Sequence, residues 1–352
     1  ALAKKMADES IVLLENKNDI LPLDMNRYKN IAVLGPNSNY GVVGDYGWVG
    51  RDHHECVTLY DGVKAALGKQ ATVTQADGCD WWSQNGDGIA EAVRLTEQSD
   101  LAIVAVGTRS WWLGRDAKGN RATSGEGFDL SSLELPGRQL DLLKAVKATG
   151  KPVIVVLITG KPLVMTWAKE NADAVLVQFY GGEQQGNAMA DVLLGKVNPS
   201  GRLNVSFPRS TGNTCFYNYY PTDRENVYDK GGTYEEPSLH YIFERPYAIW
   251  NFGYGLSYTD FEYSDLQLND TVFAADGVLK ARVTVKNTGK RDGKEVVQLY
   301  VRDKISSVSQ PIQALKAFKK VEVKAGKQVT VDLEIRGVPA EQGAGGGQGK
   351  GG

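Results

Sequence analysis

Asp100-Leu101-Ala102-Ile103-Val104-Ala105-Val106-Gly107 decides the fold. An unbroken apolar run of this length, closed by glycine, reads as a strand covered on both faces, because a half-exposed strand would alternate with polar residues. Downstream, Leu135-Pro136-Gly137-Arg138-Gln139 opens a helix with proline near its first turn. The pattern repeats on either side. Strands are expected at Ile31 to Leu34, Val153 to Ile158 and Ala174 to Phe179. Helices are expected at Ala1 to Leu14, Leu59 to Leu67, Gly88 to Glu97, Gly137 to Ala148, Pro162 to Glu170 and Asn187 to Leu194. Such alternation implies a mainly parallel sheet flanked by helices, an α/β sandwich, over residues 1–210.

Beyond Pro208 the periodicity stops. Residues 211–257 are rich in Tyr, Asn, Asp and Gly, and their aromatic rings need burial against something, which suggests an ordered wrapping linker. From residue 258 to 336 strand signals return, at Val278 to Asn287, Gly293 to Arg302 and Gln328 to Ile335. The alternation Ala281-Arg282-Val283-Thr284-Val285 is of the half-buried antiparallel kind. A β-sandwich is expected there, apparently incomplete, because residues 337–352 run into a glycine-rich tail or linker of coil composition.

Between the first strand and its helix lies Thr123-Ser124-Gly125-Glu126-Gly127-Phe128-Asp129, a carboxyl group on a glycine-flanked loop. Ligands of open α/β sheets gather beyond the carboxyl ends of the strands, so Glu126 stands where a reacting group would be useful. An exposed acidic loop is the plainer reading of the same residues.

The loop, together with Glu9-Ser10-Ile11-Val12-Leu13-Leu14-Glu15-Asn16, Ile31-Ala32-Val33-Leu34-Gly35-Pro36-Asn37, Tyr180-Gly181-Gly182-Glu183, Asn198-Pro199-Ser200-Gly201-Arg202-Leu203 and Phe252-Gly253-Tyr254-Gly255-Leu256-Ser257, resembles the second domain of glycoside hydrolase family 3. Val285-Lys286-Asn287-Thr288-Gly289 with the strand after it resembles the fibronectin type III-like domain that many family members carry. The resemblance implies a retaining exo-acting β-glycosidase, a β-glucosidase first, with Glu126 as general acid/base. It also implies an Asp nucleophile on a (β/α)8 barrel. No barrel fits in these residues, so a barrel domain is expected as a partner, in cis or in trans. Trp48 matches a family position that binds the leaving-group sugar. Trp111 and Trp112, on the same loop as Glu126, are further sugar-stacking candidates, though all three would equally well pack against the barrel. Where the family often has arginine after the motif's aspartate, this chain has Leu130, which leaves the ion pairing of Asp129 open. Asp116, Asp129 and Glu134 compete for the acid role, and Glu183 reads as a structural hydrogen-bonding group.

Composition excludes several other classes. The 352 residues carry a net charge of −2 with Lys and Arg dispersed, so no basic stripe offers itself to nucleic acid. No apolar run is long enough to span a membrane, and the chain opens without the charged and apolar regions of a signal peptide. Periplasmic or secreted placement is the expectation that the resemblance carries. His53, His54 and His240 show no metal-ligand spacing, and Gly35 to Gly41 lacks the spacing of a phosphate loop; no metal or organic cofactor is expected. Cys56, Cys79 and Cys215 cannot all pair with one another, and a Cys56–Cys79 bridge or three buried thiols are both open. The expected ligand is a β-linked oligosaccharide or β-glycoside, with homo-oligomerisation left open. The reading from a different class is a noncatalytic saccharide- or protein-binding module.

Overall fold

The computed structural model describes residues 1–44, 56–110, 121–212, 235–236, 247–272, 274, 277–304 and 310–337. The chain forms two compact units, Ala1–Tyr258 and Thr259–Gly352.

In the first unit, β1 (Val12–Asn16), β2 (Asn30–Leu34), β3 (Thr72–Ala76), β4 (Leu101–Gly107), β5 (Val153–Ile158) and β6 (Ala174–Gln178) form one sheet in the order β1-β6-β5-β4-β2-β3. The five strands from β2 onward are parallel, and β1 joins β6 antiparallel, Val12 opposite Val177. Every residue of β4, β5 and β6 is buried. Their side chains alternate between two separate apolar layers. Val104, Val106, Val155 and Leu157 face a layer that includes Ala92, Leu95, Leu142, Val146 and Ala168. These come from α3 (Ile89–Glu97), α4 (Gln139–Ala148) and α5 (Thr166–Asn171). Ile103, Ala105, Val156 and Ile158 face Ala7, Leu59, Val63, Met189 and Val192. Those belong to α1 (Leu2–Ser10), α2 (Leu59–Leu67) and α6 (Gln185–Leu193). This is the α/β sandwich that continuous apolar strands require.

Two elements differ from expectation. The opening helix stops at Ser10, because Ile11 is extended (φ −66°, ψ 130°), and the apolar residues after it become edge strand β1. Strand β3, Thr-Val-Thr-Gln-Ala, was not anticipated; it lies at the other edge with no fully buried residue, and so lacks the apolar run that marks its neighbours. Of the aromatic-rich stretch, residues 247–258 lie within this unit. Trp250 pairs with Phe207, its ring edge-on at 5.9 Å, and its Nε1 donates to Glu15 Oε1 at 2.7 Å, while Leu256 bridges to Leu13 of β1. Cys56 and Cys79 are both buried and are not joined to each other, so the Cys56–Cys79 bridge is not realised; burial pushes the Cys79 thiol up to about 12.

The second unit is a small β-sandwich. Strands β7 (Phe261–Leu268), β8 (Val278–Asn287) and β11 (Gln328–Arg336) make one antiparallel sheet, in the order β11-β8-β7, and β9 (Gly293–Val301) with β10 (Ala314–Val323) the other. Val285, Val297, Val323, Val331 and Leu333 form the core they share. Strands β7 and β10 were not expected from sequence. Seven of the eight residues of β7 are exposed, and a bulge between Ser264 and Gln267, with Asp265 at φ +55°, breaks its alternation.

Candidate active site

The carboxyl ends of β2, β4, β5 and β6 meet at one edge of the first unit, and the loop that bears Glu126 rises from it. Gly107 closes β4 at φ +136°, and a Cβ there would stand 1.9 Å from the Ile158 carbonyl, so only glycine lets the strands stay paired at this point. Its N–H donates to Gln139 Oε1 at 2.7 Å, and Gln139 Nε2 donates back to its carbonyl at 2.9 Å. Gln139 is completely buried at the start of α4, so the helix after the loop is bonded to the strand before it.

Next come Thr108, Arg109 and Ser110, all buried. The Arg109 guanidinium lies 4.9 Å from the centre of the Tyr40 ring and 5.0 Å from that of Trp81, and those two rings meet edge-on at 4.9 Å. Trp81 in turn donates its indole N–H to Asn37 Oδ1 at 2.7 Å, and Asn37 Nδ2 reaches the carbonyl of Ile158 at 3.3 Å. A cation held between aromatic faces in a dry site is favourable by roughly 2 kcal/mol. This cage was not read from the sequence. Its one visible signal is a charged residue two positions after a wholly apolar strand.

The returning limb is fixed to the outgoing one. Thr123 N–H donates to the Arg109 carbonyl at 2.8 Å, Arg109 N–H donates to Thr123 Oγ1 at 2.9 Å, and Ser110 bridges to Ser124. Glu126 then occupies the second position of a turn closed by Phe128 N–H on the Gly125 carbonyl at 3.1 Å. Gly127, at φ +75°, takes the left-handed conformation that the third position of such a turn favours. A Cβ on Gly127 would touch nothing, so its requirement is conformational. Glu126 is therefore an exposed carboxylate at the tip of a turn whose base is rigid.

The competing carboxyl groups are placed differently. Asp129 is exposed and pairs with Lys161 Nζ at 3.4 Å, so a lysine from the loop after β5 supplies the cation that Leu130 does not. Glu134 follows Leu133, whose carbonyl and N–H are bonded to Val164 and Thr211; protein packed nearby raises the Glu134 pKa by desolvation, although the residue stays exposed. The Glu183 side chain is exposed, and it is its carbonyl that bonds, accepting from Val57 N–H at 2.8 Å. Trp82 is 40% exposed, with the Arg121 guanidinium 5.0 Å from its ring centre, so an indole face stands beside the returning limb. Trp48, Trp111, Trp112 and Asp116 lie outside the described residues, as do Cys215 and the three histidines. Among the described residues no group of three or more His, Cys, Asp or Glu side chains is placed to hold a metal ion, and no helix is long and apolar enough to cross a membrane.

Residues 11–258 match the glycosyl hydrolase family 3 C-terminal domain, and residues 295–338 a fibronectin type III-like domain. The chain is 37% identical over 341 residues to a β-xylosidase of Formosa agariphila, covering 95% of this chain and 44% of that protein. It is 35% identical over 356 residues to a periplasmic β-glucosidase of Salmonella typhimurium, with the same shares covered. Among solved structures, a β-glucosidase from Erythrobacter marinus superposes with a TM-score of 0.81 at 33% identity over 95% of this chain and 45% of that one. A Listeria innocua β-glucosidase in complex with isofagomine gives 0.79 at 31% identity over 95% and 44%. The chain thus spans less than half the length of the relatives it matches. On the match over residues 11–258, this chain belongs to the family of the glycosyl hydrolase family 3 C-terminal domain.

Proposed function

We propose that this chain is the part of a retaining exo-acting β-glycosidase, a β-glucosidase, that carries the general acid/base, Glu126. The observation that supports this reading most is the loop itself: an exposed carboxyl group at a turn tip, set on a base of buried hydrogen bonds at the carboxyl edge of the sheet. Flexible acidic loops have no need of such a base. In this reading the nucleophile is an aspartate on a (β/α)8 barrel, in cis or in trans, held ~5–5.5 Å from the Glu126 carboxyl group. Glu126 gives its proton to the departing glycosidic oxygen as the nucleophile bonds to the anomeric carbon. As a carboxylate it then takes a proton from the water that displaces the nucleophile. Trp48, Trp111 and Trp112 offer indole faces to the sugar rings.

The proposed organisation is a catalytic-loop domain over residues 1–210, a wrapping linker over 211–257, a fibronectin type III-like domain over 258–336 and a tail or linker over 337–352. Periplasmic or secreted placement is supported by the relative named as periplasmic.

The test is hydrolysis of aryl β-glucosides and β-xylosides by the protein purified from its natural gene, parent against Glu126→Ala. The variant is expected to lose about 10²–10⁴-fold on a poor leaving group. Azide should restore turnover of an activated substrate by attacking the glycosyl-enzyme without base assistance. Undiminished activity in the variant overturns the assignment. If no preparation containing every polypeptide of the gene hydrolyses a glycoside, the chain is a noncatalytic saccharide- or protein-binding module.

A further inference from the structure

Four hydroxyl groups from separate parts of the chain converge under the Glu126 loop. Tyr180, two residues beyond the end of β6, has its hydroxyl 2.7 Å from Ser124 Oγ on the returning limb and 2.9 Å from Thr108 Oγ1 on the outgoing limb. Thr108 Oγ1 lies 3.3 Å from Thr159 Oγ1 and accepts the Gly160 N–H at 3.1 Å. Thr159 donates its hydroxyl hydrogen to the Lys161 carbonyl at 2.8 Å and accepts the Lys161 N–H at 3.0 Å. Thr108 therefore donates to Thr159, and in each of the two short contacts of the Tyr180 hydroxyl either oxygen can be the donor. Thr108, Ser124 and Thr159 are all at least nine-tenths buried, so these bonds form away from bulk water, where each is worth most. The packing is tight: a Cβ on Gly160 would come within 2.9 Å of Ser124 Oγ and 3.0 Å of the Tyr180 hydroxyl.

Geometrically, one phenol joins both limbs of the loop. Ser124 is two residues before Glu126, so its main-chain position sets where the turn begins. Taking Glu126 as the acid/base, we infer that Tyr180 is a positioning residue for it: its hydroxyl, through Ser124 and Thr108, fixes the reach of the Glu126 carboxyl toward the leaving-group oxygen. Tyr180 itself need not touch substrate. Proton donation matters most when the leaving group is poor, so loss of position falls selectively on such substrates, whereas a general loss of structure falls on all alike.

The experiment uses the enzyme purified from its natural gene, with Tyr180→Phe, Ser124→Ala, the double variant and Glu126→Ala. The readout is kcat and KM on aryl β-glucosides ranging from 2,4-dinitrophenyl to unsubstituted phenyl. Tyr180→Phe should lose about 10–100-fold in kcat/KM on the phenyl glucoside, the scale of a small misplacement of a reacting group, and less than about 3-fold on the dinitrophenyl one. Ser124→Ala should give the same leaving-group dependence, and the double variant should be no worse than the more affected single one, because both remove the same bond. Equal losses across the series, or none, overturn the inference. If Tyr180→Phe does not fold, Ser124→Ala decides alone. Glu126→Ala separates the two claims: leaving-group dependence there without it in Tyr180→Phe refutes the positioning role only, and its absence in Glu126→Ala refutes the assignment of Glu126.

Discussion

Asn37 in the first unit and Asn287 in the second are both completely buried, yet they are held in different ways. Asn287 has four short bonds: its Oδ1 accepts from Thr259 Oγ1 at 2.6 Å and Gly289 N–H at 3.0 Å, and its Nδ2 donates to the carbonyls of Arg291 at 2.7 Å and Val323 at 2.9 Å. Every hydrogen-bonding direction of the amide is used to close one corner of the sandwich. Asn37 has one short bond, from Trp81, and two long ones, to the carbonyls of Ile158 at 3.3 Å and Thr108 at 3.5 Å. Those partners are the ends of two strands and the ring that cages Arg109. One amide secures a fold; the other aligns the base of the candidate site, with slack that the first does not have.

The contrast is broken most forcefully at Gly107. Gly107→Ala puts a Cβ against the Ile158 carbonyl in a backbone conformation that alanine resists, and should cost more than about 4 kcal/mol. The first unit is then expected to lose its helical circular dichroism, and a variant that melts like the parent would refute the strand-end geometry. Asn287→Ala comes next, at about 2–4 kcal/mol, because several buried groups lose partners together. Urea denaturation should register that loss while kcat at 25 °C stays at the parent value. Asn37→Ala should show the reverse pattern, with a stability loss of about 1–2 kcal/mol, since its bonds are longer, and a fall in kcat that Asn287→Ala does not produce. Matching effects of the two asparagine variants on kcat would erase the distinction.

The smallest effect lies away from both corners. Asp100 accepts the N–H groups of Asn30 and Lys29, each at 2.7 Å, and these bonds hold its carboxyl below the usual carboxylate range. A depressed carboxyl pKa contributes stability that is present above the unfolded value, ~3.9, and is lost as pH falls through the folded one. Solvent reaches this group, so the contribution is about 1 kcal/mol or less. Asp100→Asn should lower the urea midpoint more at pH 7 than at pH 2, because the parent loses the term as pH falls. A parent midpoint flat between those pH values would remove Asp100 from the account.

Legibility in the sequence followed burial. The strands β4, β5 and β6 were plain because the sheet's middle is apolar throughout, and β8, β9 and β11 because half-burial alternates. Strand β1 was read as helix because a short apolar run has no period of its own, and what makes it a strand is β6, more than 150 residues away. Exposed or bulged edges, β3 and β7, leave no apolar signature at all. Glu126 stood out through its flanking glycines after a buried strand. What holds it did not, because Ser124 and Tyr180 are 56 residues apart, Gln139 and Gly107 are 32, and Asn37 and Thr108 are 71. Ordinary hydroxyl and amide side chains become a clamp only when the topology brings strand ends together.

Strand β1 also has a consequence in time. One of its edges waits for Val177 and Leu176 of β6, and Leu13 is further bridged by Leu256. Contacts this distant along the chain close late and slowly. At a translation rate of about 5–20 residues per second, roughly 10–50 s separate the synthesis of Leu13 from that of Leu256. Until β6 has been made the nascent chain presents Ile11 to Leu14 as an unpaired apolar segment, and the unit can be sealed only by nearly the last residues it contains.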